Sequence, residues 1–269
     1  MLDDSIVAAI ADLKWPIVLL ITLFLFKAPI RELLSRLSNL SITAGDFKLE
    51  TALRGRVSSE TLREIRKQPG YLRSSVATHQ QVTVLHLETQ GFSVLSETMS
   101  PEEIADYLHI YLTRMTDVVF EFGGTIDRYE GTALTAYWGA PIVYPDSANR
   151  ACKAALRMHG LIKELSPKLE AKGYPPLLPL FALTTANVIA GNLGSDQKPA
   201  YSILGDYSYI LASLVRLNNN YQTNILMTNY TLELVEGEFN VRLLGEQIKT
   251  KGKDQPVSVY ELCGEKAVD

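Results

Sequence analysis

Nineteen residues, Gly123–Pro141, GGTIDRYEGTALTAYWGAP, constrain this chain more than any others. Two apolar and β-branched runs flank Tyr129-Glu130-Gly131, which reads as a tight turn between antiparallel strands. Gly131 supplies the backbone freedom such a turn needs. A β-hairpin here requires partner strands and a covering layer, because an isolated hairpin is barely stable in water.

Those partners are visible on both sides. Val82-Thr83-Val84-Leu85-His86-Leu87 reads as a strand. Ser100-Pro101-Glu102-Glu103 opens a helix, with Ser100 as N-cap, Pro101 in the first turn and Glu103 completing a capping box. Its expected buried face is Ile104, Leu108, Tyr111, Leu112, Met115, Val118, Val119 and Phe122, and Gly123-Gly124 ends it. His109 falls on the solvent side. Asp146 is expected to cap a second helix that buries Ala151, Ala154, Ala155, Met158 and Ile162. Leu178–Ala190 reads as a strand and Gly191–Ser195 as a tight loop. Tyr201–Asp206 reads as a short strand and turn before a helix ending near Leu217. Strands over Ile225–Thr228, Phe239–Leu244 and Val257–Leu262 complete the pattern. This mixture predicts an α+β sandwich built on one mainly antiparallel sheet with helices packed on it. Cys152 and Cys263 are too few and too far apart for a disulfide framework or a zinc site. One bridge stays open, but reduced buried thiols suit a cytosolic domain better.

The N-terminal end has a different character. In Trp15–Phe26, WPIVLLITLFLF, only Thr22 is polar, and Lys14 and Lys27 bound the run. As a helix it reaches about 18 Å, short of a hydrocarbon core of about 30 Å. Extension back to Ile6 lengthens it, with Lys14 snorkelling and Trp15 at headgroup level. A secretory signal is the rival reading. The acidic leader and the lack of a small-x-small cleavage site argue against it. Residues 1–29 therefore read as a membrane anchor forming a transmembrane helix. Lys27, Arg31 and Arg36 place the rest in the cytoplasm, as expected of a single-pass inner- or plasma-membrane protein.

Residues 30–78 form the expected juxtamembrane helix and basic linker. Ile30, Leu33, Leu34, Leu37 and Leu40 make an apolar stripe that either pairs with a second copy or packs on the domain. Residues 51–78 show no clear period, and Pro69-Gly70 breaks them, so they read as a linker. Residues 27–73 carry ten Lys and Arg against five Asp and Glu, whereas residues 74–269 carry fifteen against twenty-two. A basic strip ahead of an acidic globular part fits a neck near an anionic membrane and argues against a nucleic-acid partner.

Five segments in order carry a family resemblance: VTVLHLETQGFSVLSE (82–97), the hairpin, GNLGS (191–195), YSILGD (201–206) and KGKDQPVSVYEL (251–262). Together they resemble the class III adenylate/guanylate (nucleotidyl) cyclase domain. This implies a cyclase-homology domain at 79–264, with its ferredoxin-like-related fold, and a short tail at 265–269. It implies a homodimer, or a heterodimer with another cyclase-type domain. It also implies a nucleoside triphosphate whose 3′-hydroxyl attacks the α-phosphate, assisted by two Mg²⁺ or Mn²⁺ ions.

Residue by residue, the resemblance assigns the first metal carboxylate to Glu88 and the second to Thr132, which carries no charge. The transition-state Asn and Arg positions hold Tyr209 and Ser213. Arg128 and Ser202 stand at the base-reading positions, and Lys251 at the lysine that holds terminal phosphates. Glu130, two residues from Thr132, is a candidate replacement carboxylate if the strand stays extended. Arg128 and Lys251 also read as ordinary surface charges, and Glu88 as a solvated strand-end acid. The expectation is a membrane-anchored pseudo-cyclase, a dimerising regulatory or nucleotide-binding module in intracellular signalling with no intact catalytic set. In it Mg²⁺ or Mn²⁺ enters only with a bound nucleotide. The alternatives are a weak or partner-dependent cyclase and a membrane adaptor that binds no nucleotide.

Overall fold

The computed structural model describes residues 50–67, 77–91, 97, 99–195, 197–235, 237–248 and 257–267. The apolar segment 6–26, the stripe from Ile30 to Leu40, and Lys251 lie outside the described residues. Among the described residues, no helix is long and apolar enough to cross a membrane.

The elements follow the order α1 (Ser59–Lys67), β1 (Thr78–Gln90), α2 (Pro101–Glu121), β2 (Thr125–Glu130), β3 (Ala133–Trp138), α3 (Ser147–Glu170) and β4 (Leu178–Asn192). They continue with β5 (Tyr201–Leu204), α4 (Tyr207–Tyr221), β6 (Ile225–Thr228), α5 (Asn229–Leu232), β7 (Phe239–Ile248) and β8 (Val257–Glu265). One sheet runs β2-β3-β1-β4-β6-β8-β7, with β5 paired to β4. Every pair is antiparallel except β4–β6. The expected α+β fold with a mainly antiparallel sheet is therefore present.

The two faces of β1 follow from its alternation. Leu85 and Leu87 pack into a core with Trp138, Phe181 and the buried sides of α2 and α3. Val82 and Val84 pack on the opposite face with Tyr137, Ala182 and α4. Full burial of each large side chain contributes roughly 1.5–3 kcal/mol. α2 starts as its sequence dictates, since Ser100 and Glu103 make the reciprocal capping-box bonds. Its buried side includes Tyr107, which the sequence reading omitted, whereas Ile104, Leu108, Leu112 and Phe122 are half-buried. Gly124 ends the turn after α2 where a Cβ would lie 2.7 Å from the Trp138 ring and from Val119, so only glycine fits.

Several sequence expectations need correction. Asp146 makes no side-chain cap on α3. Its carboxylate accepts instead from Arg150 Nε at 2.8 Å. β4 continues through Gly191 and Asn192, residues expected in a loop, because they pair with Ser202 and Tyr201. α4 runs one turn past Leu217, and β7 and β8 each extend beyond their expected ends. Cys152 is buried as expected, but Cys263 is exposed, and both are free thiols.

The largest correction concerns residues 50–67. Ala52, Leu53, Val57 and Ile65 are buried with Val82, Val84, Tyr137 and Tyr201 in the α4-side core. After a helical turn at 50–53, Ser58 caps α1 by accepting from the Thr61 N–H at 3.0 Å. This part of the expected linker belongs to the domain. Its buried positions 53, 57, 61 and 65 recur every four residues. Thr61 interrupts the apolar signal.

Candidate functional site

The end of β1 and the hairpin meet where the resemblance placed metal ligands. His86 and Glu88 continue the alternation of Val82 and Val84, so both project on the α4 side. His86 Nδ1 lies 3.0 Å from Thr135 Oγ1 on the neighbouring strand. Burial lowers its pKa, an effect that Glu88 opposes and Arg128 reinforces, so the ring is neutral near pH 7. Glu88 is half-exposed at the strand end, 3.9 Å from His86 Nε2.

Thr132 is buried and donates from Oγ1 to the Thr89 carbonyl at 3.4 Å. Thr89 Oγ1 in turn bonds the Tyr111 hydroxyl at 2.9 Å. Burial raises the Tyr111 phenol pKa well above its usual value. Two neutral contacts, one to the Thr89 backbone and one to its side chain, thus link the hairpin, β1 and α2. Glu130 does not join Thr132, because the strand does not stay extended between them. The turn begins between them, leaving Glu130 exposed with Oε1 3.4 Å from Arg128 Nε. Hard divalent ions need several oxygen ligands, preferably carboxylates. One half-exposed glutamate beside a threonine already committed to a carbonyl does not fit a two-metal centre. Among the described residues, no three His, Cys, Asp or Glu side chains converge to hold an ion.

The second cluster forms around a residue that sequence reasoning missed. The β2–β3 register skips between Ile126 and Arg128, leaving Asp127 as a bulge. The bulge turns its side chain inward until it is almost fully buried. Oδ1 accepts from Ser202 Oγ at 2.6 Å, and Oδ2 accepts from Arg128 Nη1 at the same distance. The structure therefore brings Arg128 and Ser202 together through Asp127. Burial alone would lower the Arg128 pKa, but the Tyr207 phenol and the Asp127 carboxylate outweigh it and raise the value. Tyr207 is buried and its phenol pKa is raised, by burial first and by Asp127 second. The guanidinium stays partly exposed, a fixed cation able to meet an acceptor-rich ligand. Asp127 carried no distinct sequence signal, because β2 reads TIDRYE and Arg128 and Glu130 are charged as well.

On α4, Tyr209 is exposed and Ser213 is buried. Ser213 Oγ bonds back to the Tyr209 carbonyl at 2.8 Å and accepts from Arg216 Nη2 at 3.3 Å. Arg216, another residue the sequence reading passed over, thus brings a guanidinium to the Ser213 position from one turn further along the helix. His109 is exposed on α2, as expected.

Comparisons with known proteins agree with this geometry. The family model for the adenylate and guanylate cyclase catalytic domain matches residues 75–264. Adenylate cyclase 1 of Rhizobium meliloti is 27% identical over 197 residues, which cover 73% of this chain and 30% of that protein. The adenylate cyclase of Anabaena cylindrica is 29% identical over 194 residues, or 69% of this chain and 37% of that one. The chain therefore spans about a third of the length of these relatives. The crystal structure of the adenylyl cyclase CyaB from P. aeruginosa superposes with a TM-score of 0.64 at 27% identity, covering 71% of this chain and 97% of that one. The order of strands, the hairpin and the matched span lead to one conclusion: this chain belongs to the adenylate and guanylate cyclase catalytic-domain family.

Proposed function

We propose that this protein is a membrane-anchored cyclase homologue that dimerises and binds a nucleoside triphosphate through Arg128 without cyclising it. The observation that carries this reading is Thr132 itself, a buried neutral hydroxyl directed at the Thr89 carbonyl where the resemblance expects a charged metal ligand. Among the described residues, Glu88 has no second carboxylate converging with it to hold a pair of dications. Tyr209, where the resemblance expects an asparagine, adds an exposed aromatic ring that cannot supply an amide donor. Arg128, held by Asp127 and Tyr207, supports retention of a nucleotide contact. The apolar segment 6–26 and the basic residues after it support a single-pass anchor with the domain in the cytoplasm.

A second reading is a weak or partner-dependent adenylate or guanylate cyclase. The Arg216 guanidinium at Ser213 favours it, because it returns a cation to the helix face where the resemblance expects one.

One assay separates the two readings. The full chain, purified in detergent, is incubated with each of the four ribonucleoside triphosphates and Mg²⁺ or Mn²⁺. Cyclic product and nucleotide-induced shifts in melting temperature are then measured. A thermal shift without product is the expected outcome. Product that disappears in Glu88→Ala would overturn the pseudo-cyclase reading, and loss of that product in Arg216→Ala would establish the second. No shift with any nucleotide would leave a membrane adaptor.

A further inference from the structure

β2 is an edge strand, so its outward backbone groups need partners from outside the sheet. Arg56 supplies them. Its carbonyl accepts from the Ile126 N–H at 2.7 Å. Its Nη1 donates to the Ile126 carbonyl at 3.3 Å and also to the Asp127 carbonyl. One residue of the N-terminal segment therefore grips the two residues that make the bulge. The next residue is Arg128. Leu53 and Val57, on either side of Arg56, are buried in the core, so the grip cannot swing freely.

We propose that Arg56 is a positioning residue for Arg128. It holds the bulge, the bulge turns the Asp127 carboxylate inward, and that carboxylate fixes the Arg128 guanidinium against Ser202 and Tyr207. A displacement of Arg56 is thereby transmitted to the nucleotide-contacting side chain. The nucleotide part rests on the proposed function above; the mechanical part does not.

The geometry separates this role from simple packing. Ala52, Leu53 and Val57 supply the buried apolar surface, whereas the Arg56 side chain contacts hairpin carbonyls. Substitution of Arg56 therefore removes the side-chain bonds to the Ile126 and Asp127 carbonyls while leaving the packing and the backbone bond to Ile126 in place. Loss of a charged hydrogen bond is expected to speed local opening by about 10- to 100-fold.

The test compares the parent full chain in detergent with Arg56→Gln and Arg56→Lys. Three quantities are read: amide hydrogen exchange over 125–130, the rate of Arg128 modification by butanedione followed by mass spectrometry, and Kd for fluorescent ATP and GTP analogues. In Arg56→Gln, hairpin exchange is expected to rise about 10- to 100-fold, Arg128 to react faster, and Kd to weaken about tenfold or more. Exchange in β7 and β8 is expected to stay unchanged. Arg56→Lys keeps the charge without the fork and is expected to fall between. Leu262→Ala, which empties a buried position on β8, is expected to lower stability without altering Arg128 reactivity. Parent-like hairpin exchange or Arg128 reactivity in Arg56→Gln would overturn the relay, as would nucleotide affinity retained alongside a loosened hairpin. If the parent binds no nucleotide, the nucleotide reading falls, and Arg128 reactivity alone decides the relay.

Discussion

Leu53→Ala tests whether residues 50–67 are part of the domain. As linker residues they would be tolerant, and the substitution would change stability by no more than about 0.5 kcal/mol. The structure gives a different value, because Leu53 is fully buried among Val82, Tyr137 and Tyr201. Deleting a buried leucine side chain to alanine removes its transfer energy and leaves a cavity, at a cost of about 2.7–5 kcal/mol. For a domain of roughly 150–250 residues each kcal/mol shifts Tm by about 2–4 °C, so a fall of about 5–20 °C is expected. Thermal unfolding of the full chain in detergent, followed by far-ultraviolet circular dichroism, provides the measurement. Arg54→Ala, at an exposed position of the same segment, is the control and is expected to remain within about 2 °C. A Leu53→Ala melting curve that overlays the control would refute the reasoning and restore the linker.

Two further outcomes are expected. Thr132→Asp exchanges a buried hydroxyl for a carboxylate beside the Thr89 carbonyl, which is expected to cost about 3–5 kcal/mol in chelator. Added Mn²⁺ should recover that loss by pairing the new carboxylate with Glu88; a Tm indifferent to Mn²⁺ would mean that the two positions cannot share an ion. His86 and His159 both have pKa values lowered from 6.5, by burial first. Their unfolded forms bind protons that the folded forms exclude, so stability is full above that value and falls as pH drops below it. Denaturant melts from pH 7.5 to 5.5 should show this decline, and replacing both histidines with glutamine should flatten it. A decline of equal size in the double variant would assign it to other groups.

The framework was legible because its signals are local. Ser100 and Glu103 cap one helix, Gly131 marks the hairpin turn, and β-branched runs mark β1 and β6. The site was legible only in part. Thr132, Tyr209 and Ser213 could be located from the motifs, but their bonding partners could not. Thr89 and Tyr111 are brought to Thr132 by β1 and α2, elements distant in sequence. Asp127 escaped notice because the bulge places it on the same side as Arg128, two neighbours that strand alternation would separate. Residues 50–67 escaped for another reason. Their buried positions are few, lie among charged residues, and cover the sheet only after the chain has folded back on it.

The two ends of the sheet meet the hazard of open backbone differently. At β7, successive register shifts at Asn240, Leu243 and Gly245 interrupt the regular ladder with β8, and Arg242 places charge on the strand. That irregular edge is a poor template for another strand. At β2 the protection comes from Arg56, supplied from outside the sheet. A shortened protein beginning at β1 would keep every residue of the catalytic-domain fold's sheet but lose this cover. It would expose both a strand edge and the apolar floor beneath Leu53, a combination that favours self-association and precipitation. The natural starting point for a soluble fragment is therefore ahead of residue 50, not at the first strand.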